Sequence, residues 1–269
     1  SVGGIVVTPF IKWILDTQGI RNGSPWLALI WFCGTVPVTL FLLRAYPQPY
    51  GWLPDGARAA PGEIASISGT PLAEAVRSRF FKSVTFGYIF ALGAQVGGAL
   101  QLVKLVEERT DRSTATLATI VLSTMSIISR FAAGRIIPKI NMTRFTVGLA
   151  GLQGVSLASL GLVNNRIGLL VVIGLFGVTI GNMVMMQSLL LAERFGVRDY
   201  PKIAARSGLI SFSGTALGPL LLGWLYDVAG GYRSSYLAAG ACSIIGAVLF
   251  SFAGSASVTS FEVAPKISE

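Results

Sequence analysis

The chain has no histidine, two cysteines, and 12 aspartates and glutamates in 269 residues. Without histidine there are no His-based triads and no HExxH metal sites, and the commonest general base is gone. Cys33 and Cys242 both lie in apolar runs. Two thiols cannot build a zinc site, and no disulfide is expected between them. No metal, cofactor or catalytic residue is therefore expected. Acids are missing from the middle of every apolar run: Glu107, Glu108, Glu193 and Asp227 all stand at run ends. Lacking both histidine and a deep carboxylate, the sequence argues against a membrane enzyme. Charge of either sign is scarce, at 12% of residues against about 25% in soluble domains.

Apolar sequence fills the space. Hydrophobic residues make up 52% of the chain, and 32 glycines are scattered through it, many within the apolar stretches. This composition describes a polytopic membrane protein in a lipid bilayer. The net charge of +9 could suggest nucleic acid, but the basic residues lie in short connections between apolar runs, as membrane topology signals do. No nucleic-acid partner is expected.

A helix needs about 20 apolar residues to cross a bilayer. Eight runs qualify as expected spans: 2–15, 25–43, 83–103, 115–133, 145–163, 167–191, 207–226 and 235–254. The stretch 44–82 differs in kind, with Pro47, Pro49, Pro54, Pro61 and Pro71 among scattered charges. It reads as a central loop, with a surface helix near 72–82. Numbered alternately, one set of connections carries 13 Lys and Arg and the other 6. The richer set (44–82, 134–144, 192–206 and the tail) is expected on the cytoplasmic side, together with both ends of the chain. The expected location is an integral protein of the cell (inner) membrane.

One internal repeat stands out. Gly4, Pro9, Trp13, Asp16, Gly19 and Arg21 recur in order as Gly214, Pro219, Trp224, Asp227, Gly230 and Arg233, displaced by 210 to 212 residues. Repeats of this kind mark duplicated architecture. If the first run matches the seventh, two runs precede the central loop where six follow it. The chain starts without Met, and its first run is short. It is expected to be the later part of a longer protein.

Two parallel six-span halves joined by a long cytoplasmic loop form the architecture of the major facilitator superfamily, which the whole chain resembles. The resemblance implies an all-α fold lacking its first four helices, with eight transmembrane helices present. Residues 1–43 would be the last two helices of the first half, 44–82 the central loop, 83–254 the second six-helix half, and 255–269 a cytoplasmic tail. GRIIPKINMTR, Gly134 to Arg144, resembles the short basic connection between the second and third spans of a half. Gly134, Arg135, Lys139 and Arg144 would then form a cytoplasmic gating loop, although Pro138 stands where the family usually has Asp. Gly214-x-x-x-Gly218-Pro219 is similar to the glycine-proline motif of antiporters. Here it reads as helix packing, as do Gly4 and Pro9. Ser126-Ile-Ile-Ser-Arg130-Phe-Ala-Ala-Gly134 resembles a span of monocarboxylate transporters and oxalate/formate antiporters, with Ser126 in the usual place of an acid. In those families the arginine contacts a substrate carboxylate. The resemblance thus implies alternating-access transport, by symport or antiport, of a small organic anion. A drug or sugar exporter of the same superfamily and a non-transporting truncated membrane protein are the alternatives. The full-length protein is expected to be monomeric.

Arg130 admits three readings. Its stem could snorkel to the interface, its fork could clamp an anion, or it could pair with an acid elsewhere. Gln95 and Asn182, amides near mid-span, either bond across helices or line a pathway. Tyr88 could offer a hydroxyl to the cavity or pack as an aromatic ring. Gly93-x-x-x-Gly97 and Gly177-x-x-x-Gly181 read as close helix contacts. Met183, Met185 and Met186 read as flexible apolar lining.

Overall fold

The computed structural model describes residues 2–42 and 69–256. The expected central loop and tail lie mostly outside the described residues. The chain divides into two compact units, Ser1–Ile67 and Ser68–Glu269. Seven helices among the described residues are long and apolar enough to cross a membrane. With their apolar composition they make this an integral membrane protein built of helices.

The first unit contains α1, Val2–Pro37, continued by a π-helical turn, Val38–Leu42. Here the structure departs from the expected pattern. The spans 2–15 and 25–43 were expected with a connection at 16–24, but helical conformation runs through that connection and fails only at Gly19 (φ 70°, ψ 170°). A polar stretch can remain helical where its charges stay outside lipid, so a single glycine makes the break. The bend is sharp, because a Cβ on Gly23 would come within 3.2 Å of Ile14 Cγ2. Nine residues of straight helix would hold those positions about 13 Å apart. The repeat partner of Gly19 is Gly230, which also has positive φ (69°) and ends a helix. The repeat therefore preserves a backbone feature that glycine adopts without a steric penalty. Trp13, Trp26, Trp31 and Phe32 are exposed on α1. The packing roles expected for Gly4 and Pro9 concern residues outside those whose surroundings are described.

The second unit opens with a short helix, α2 (Leu72–Arg77). Six long helices follow: α3 (Arg79–Arg109), α4 (Arg112–Ile136), α5 (Met142–Leu162), α6 (Arg166–Phe195), α7 (Tyr200–Ala229) and α8 (Tyr232–Ser251). Each overlaps one expected span and extends beyond it by a few residues at one end or both. Polar residues set several starts. Ser78, Asp111, Asn141 and Asn165 accept from the backbone N–H of Phe81, Thr114, Arg144 and Gly168, satisfying donors that a helix start leaves unpaired.

The six helices pack as two matching triplets, α3–α5 and α6–α8. α3 lies along α7, and α6 lies along α4; α3 meets α8, and α6 meets α5; α5 and α8 pair with each other. Exchanging α3 with α6, α4 with α7 and α5 with α8 reproduces these contacts. The close approaches obey the same exchange. Cβ atoms on Gly93 and Gly97 would strike the carbonyls of Gly214 and Gly218, while those on Gly177 and Gly181 would strike the carbonyls of Leu122 and Ser126. α5 and α8 touch backbone to backbone at Gly154 and Gly240. Each triplet has three helices joined by short connections, so the exchange reverses direction along the bundle. The triplets form an inverted repeat.

Candidate functional site

The residues singled out in the sequence are distributed over three helices. Tyr88 and Gln95 are on α3, Arg130 is on α4 and Asn182 is on α6. No hydrogen bond joins Arg130 to any of the other three among the described residues.

Arg130 sits six residues before the end of α4, about 9 Å along the axis at 1.5 Å per residue. Its Nε donates to the Gly181 carbonyl oxygen at 2.6 Å. That bond holds the guanidinium at the place where α4 and α6 cross most closely. The two terminal nitrogens have no partner among the described residues, and the side chain is exposed. Lys202–Asp199 is the one ion pair among the described residues. No described residue of the second unit neutralises Arg130 by direct contact.

Asn182 is buried. Its Nδ2 donates to the Val178 carbonyl at 2.9 Å, and its Oδ1 has no partner among the described residues. Ser129 Oγ donates to the same Val178 carbonyl at 3.1 Å. Both side chains line a cleft of about 560 Å³ among α4, α5 and α6. Arg130 does not line it. At 100° per residue, Arg130 points about 160° away from Ile128 and Ala132, two of the α4 residues that line the cleft. Arg130 and Asn182 therefore stand at one level of the bundle but open on to different spaces.

Gln95 is buried, with its Oε1 unpartnered among the described residues. A buried amide oxygen of this kind calls for water or a ligand donor. Tyr88 is fully buried and packs at a tilt of 56° against Phe250, ring centroids 4.8 Å apart, and its hydroxyl donates to the Met183 carbonyl at 3.1 Å. Of its two readings, the geometry is that of a packed aromatic with its polar tip satisfied.

The connection between α4 and α5 is a 3₁₀ turn, Ile137–Lys139. Arg135, Lys139 and Arg144 are exposed, and a Cβ on Gly134 would meet open space. Arg144 lines both the cleft and a second cavity of about 420 Å³ between α5 and α8. Gly214 and Gly218 are at the tightest helix contact of the unit, and α7 continues through Pro219. Met183 and Met186 are buried in the core.

The sequence pattern singled out Gln187 as an in-span amide, but neither Gln153 nor the capping role of Arg109. Gln153 is fully buried on α5 and donates to the Ala91 carbonyl (2.8 Å) and to Ser243 Oγ (3.0 Å), tying α3, α5 and α8 together. The signal that picked out Gln95 and Asn182, an amide in mid-span, was present there too. Gln187 Nε2 donates to Ser207 Oγ (3.1 Å) and Ser211 Oγ (2.9 Å), and Ser207 Oγ lies 2.9 Å from Thr85 Oγ1. Arg109 counted in the sequence only as a topology charge. It caps the end of α5 by donating to the carbonyls of Leu160, Gly161 and Val163.

Below the helix starts, two aspartates in connections are held charged. Asp111 is held down at about 2 by the Ser113 hydroxyl, then by the backbone N–H and hydroxyl of Thr114. Asp199 is held below the usual carboxylate range by the Leu72 N–H and the Lys202 ammonium. Among the described residues no three His, Cys, Asp or Glu side chains gather where a metal ion would sit. No protein-family model and no curated protein matches the chain.

Proposed function

We propose that the chain belongs to a secondary transporter of the major facilitator type that moves a small organic anion, with Arg130 as the anion's clamp. In this reading the second unit is the second six-helix half. α1 belongs to the first half, whose other helices cover its exposed tryptophans. The inverted pairing of α3–α5 with α6–α8 supports the reading, since nested three-helix inverted repeats build each half of such transporters.

The observation that carries the substrate class is the state of Arg130. A cation within a membrane helix is costly, about 2.5–3.5 kcal/mol at the centre on insertion scales. Packing does not require it. Under the exchange of triplets Arg130 matches Leu222, which is buried, with its Cδ2 3.3 Å from where a Cβ on Gly97 would lie. A leucine fills that slot in one triplet, and in the other it is occupied by an arginine whose two terminal nitrogens have no partner among the described residues. A guanidinium anchored through Nε presents its outer edge to a carboxylate, and planar two-point recognition of that kind is what arginine does best. With no carboxylate deep in the six helices, proton coupling would need an acid elsewhere, and anion exchange needs none.

The test is uptake of labelled monocarboxylates and dicarboxylates by the complete transporter carrying Arg130, Arg130→Ala or Arg130→Lys at matched expression. Arg130→Ala should abolish uptake, and Arg130→Lys should restore little of it because an ammonium lacks the fork. Unchanged rate and half-saturation in Arg130→Ala would remove the clamp and leave snorkelling as the role of this side chain.

A further inference from the structure

We propose that the cleft between α4 and α5 holds an acyl chain of an anionic phospholipid, with the lipid phosphate on Arg144. This goes beyond the transport reading and does not depend on it. It needs only that the helices cross a bilayer.

The two triplets differ in shape at this cleft. The corresponding gap between α3 and α7, reached by Cys242 of α8, encloses about 180 Å³ and has no charged residue in its lining. On the α4 side α5 stands off, and about 560 Å³ opens along the helix from Met125 to Ile136. Eleven residues of helix measure about 16 Å. That is close to half of the roughly 30 Å hydrocarbon core, so the cleft is one leaflet deep. Met125, Ile128 and Ile136 are exposed along it, and apolar side chains on an exposed wall suit lipid. Gly148 widens the α5 wall, since a Cβ there would meet nothing within 4 Å.

Charge fixes the polar end. Arg144 lines the cleft. Arg135 and Lys139 lie on the same connection, and residues 134–144 contain no Asp or Glu. A basic pocket between membrane helices, at the end where Lys and Arg predominate, recognises anionic headgroups, and anionic lipid is concentrated in the cytoplasmic leaflet. An apolar slot one leaflet deep and closed by arginine at its wet end has the shape and charge of one phospholipid. A docked helix from another protein would need no arginine there.

The experiment uses the whole 269-residue chain in neutral detergent, read by native mass spectrometry. The probes are dioleoyl phosphatidylglycerol, dioleoyl phosphatidylcholine and inorganic phosphate. The chain should retain one phosphatidylglycerol in preference to phosphatidylcholine and should not retain phosphate. Gly148→Leu and Ala132→Leu, which fill the cleft from opposite walls, should each weaken that binding about tenfold or more. Arg144→Gln should abolish the preference for phosphatidylglycerol. Gly151→Leu, on the same helix and also in open space, should change nothing. Thermal unfolding without lipid separates a filled cleft from a damaged fold, and having two filling variants guards against one that fails to fold. Equal retention of both lipids, binding of phosphate alone, unweakened phosphatidylglycerol binding in the folded filling variants, or a dimer in wild type that these variants dissociate would each overturn the proposal.

Discussion

α3–α5 and α6–α8 use one packing scheme with different residues. Where α3 meets α7, glycines face glycines: Gly93 and Gly97 against Gly214 and Gly218. Where α6 meets α4, glycines are needed on α6 alone, with Gly177 and Gly181 against Leu122 and Ser126. The first contact continues into a buried leucine, Leu222, and the second into an exposed arginine, Arg130. One gap is small with no charged residue in its lining, and the other is wide, mostly apolar, and lined by Arg144. Residues common to both triplets are those the architecture demands. Residues found in one alone are available for something else, and Arg130, Asn182, Ser129 and the α4–α5 cleft are of this second kind.

The strongest way to break the comparison is at the shared contacts. Gly214→Val and Gly218→Val would drive Cβ atoms into the carbonyls of Ile89 and Gly93, and Gly181→Val into that of Ser126. Backbone cannot yield as a side chain can, so each should cost at least the 1–3 kcal/mol typical of overpacking and depress the unfolding temperature in detergent sharply. Gly151→Val, in open space, should leave that temperature nearly unchanged. If the α7 glycines tolerated valine while Gly181 did not, the two interfaces would not be equivalent.

The next effect separates the twins. Leu222→Arg places a charge in a dry slot and should destabilise by about 3 kcal/mol, the cost of a cation in mid-membrane. Arg130→Leu gives α4 the residue that α7 already has, so stability should hold within about 1 kcal/mol while anion uptake is lost. Thermal unfolding of both variants gives the answer. An Arg130→Leu protein as unstable as Leu222→Arg would make Arg130 a structural residue.

Much of this division could be read in the sequence, for physical reasons. The six long helices of the second unit follow from run length, because lipid requires about 20 apolar residues and leaves little freedom elsewhere. The glycine pairs 93/97, 177/181 and 214/218 follow from their four-residue spacing. The bend at Gly19 did not emerge, since polar residues 16–24 look like a connection whether or not they are helical. The inverted repeat was equally hidden: the glycines of α7 are matched on α4 by Leu122 and Ser126, so the likeness lies in backbone approach and not in residue identity. The cleft depends on α5 standing off from α4, which no local pattern records.

Gln153 provides a smaller test. It joins α3, α5 and α8 within the core through its amide N–H groups, whereas Arg130 makes one hydrogen bond among the described residues. Gln153→Leu removes both bonds, together with an amide oxygen that has no partner among the described residues. Side-chain hydrogen bonds between membrane helices average about 0.6 kcal/mol and seldom exceed about 1.7, so a loss of about 1 kcal/mol is expected in detergent unfolding. A gain in stability would mean that the orphaned oxygen costs more than the two bonds contribute.

The smallest expected effect concerns the aspartates that precede the twin helices. Asp111 precedes α4 and Asp199 precedes α7, but their carboxylates do different work. Asp111 accepts from the N–H of Thr114 at 2.7 Å and caps its own helix. Asp199 makes no cap bond. It accepts instead from the N–H of Leu72 at 3.0 Å, next to the bridge between Gly69 and Gly196, and so pins the segment entering α2 to the α6–α7 connection. Both carboxyls are depressed in the fold. The stability each adds is therefore complete above the unfolded value near 4. For Asp111 it is lost as pH falls from there through about 2, and for Asp199 it is lost in the same direction. Asp111 is exposed and Asp199 is partly buried, both in connections between helices, so the effects are local. Asp111→Ala should speed amide exchange at Thr114 and leave Leu72 unchanged; Asp199→Ala should do the reverse. Faster exchange at the first turn of α7 in Asp199→Ala, with Leu72 unaffected, would show that both aspartates cap their own helices and that the difference between the twins stops at α4.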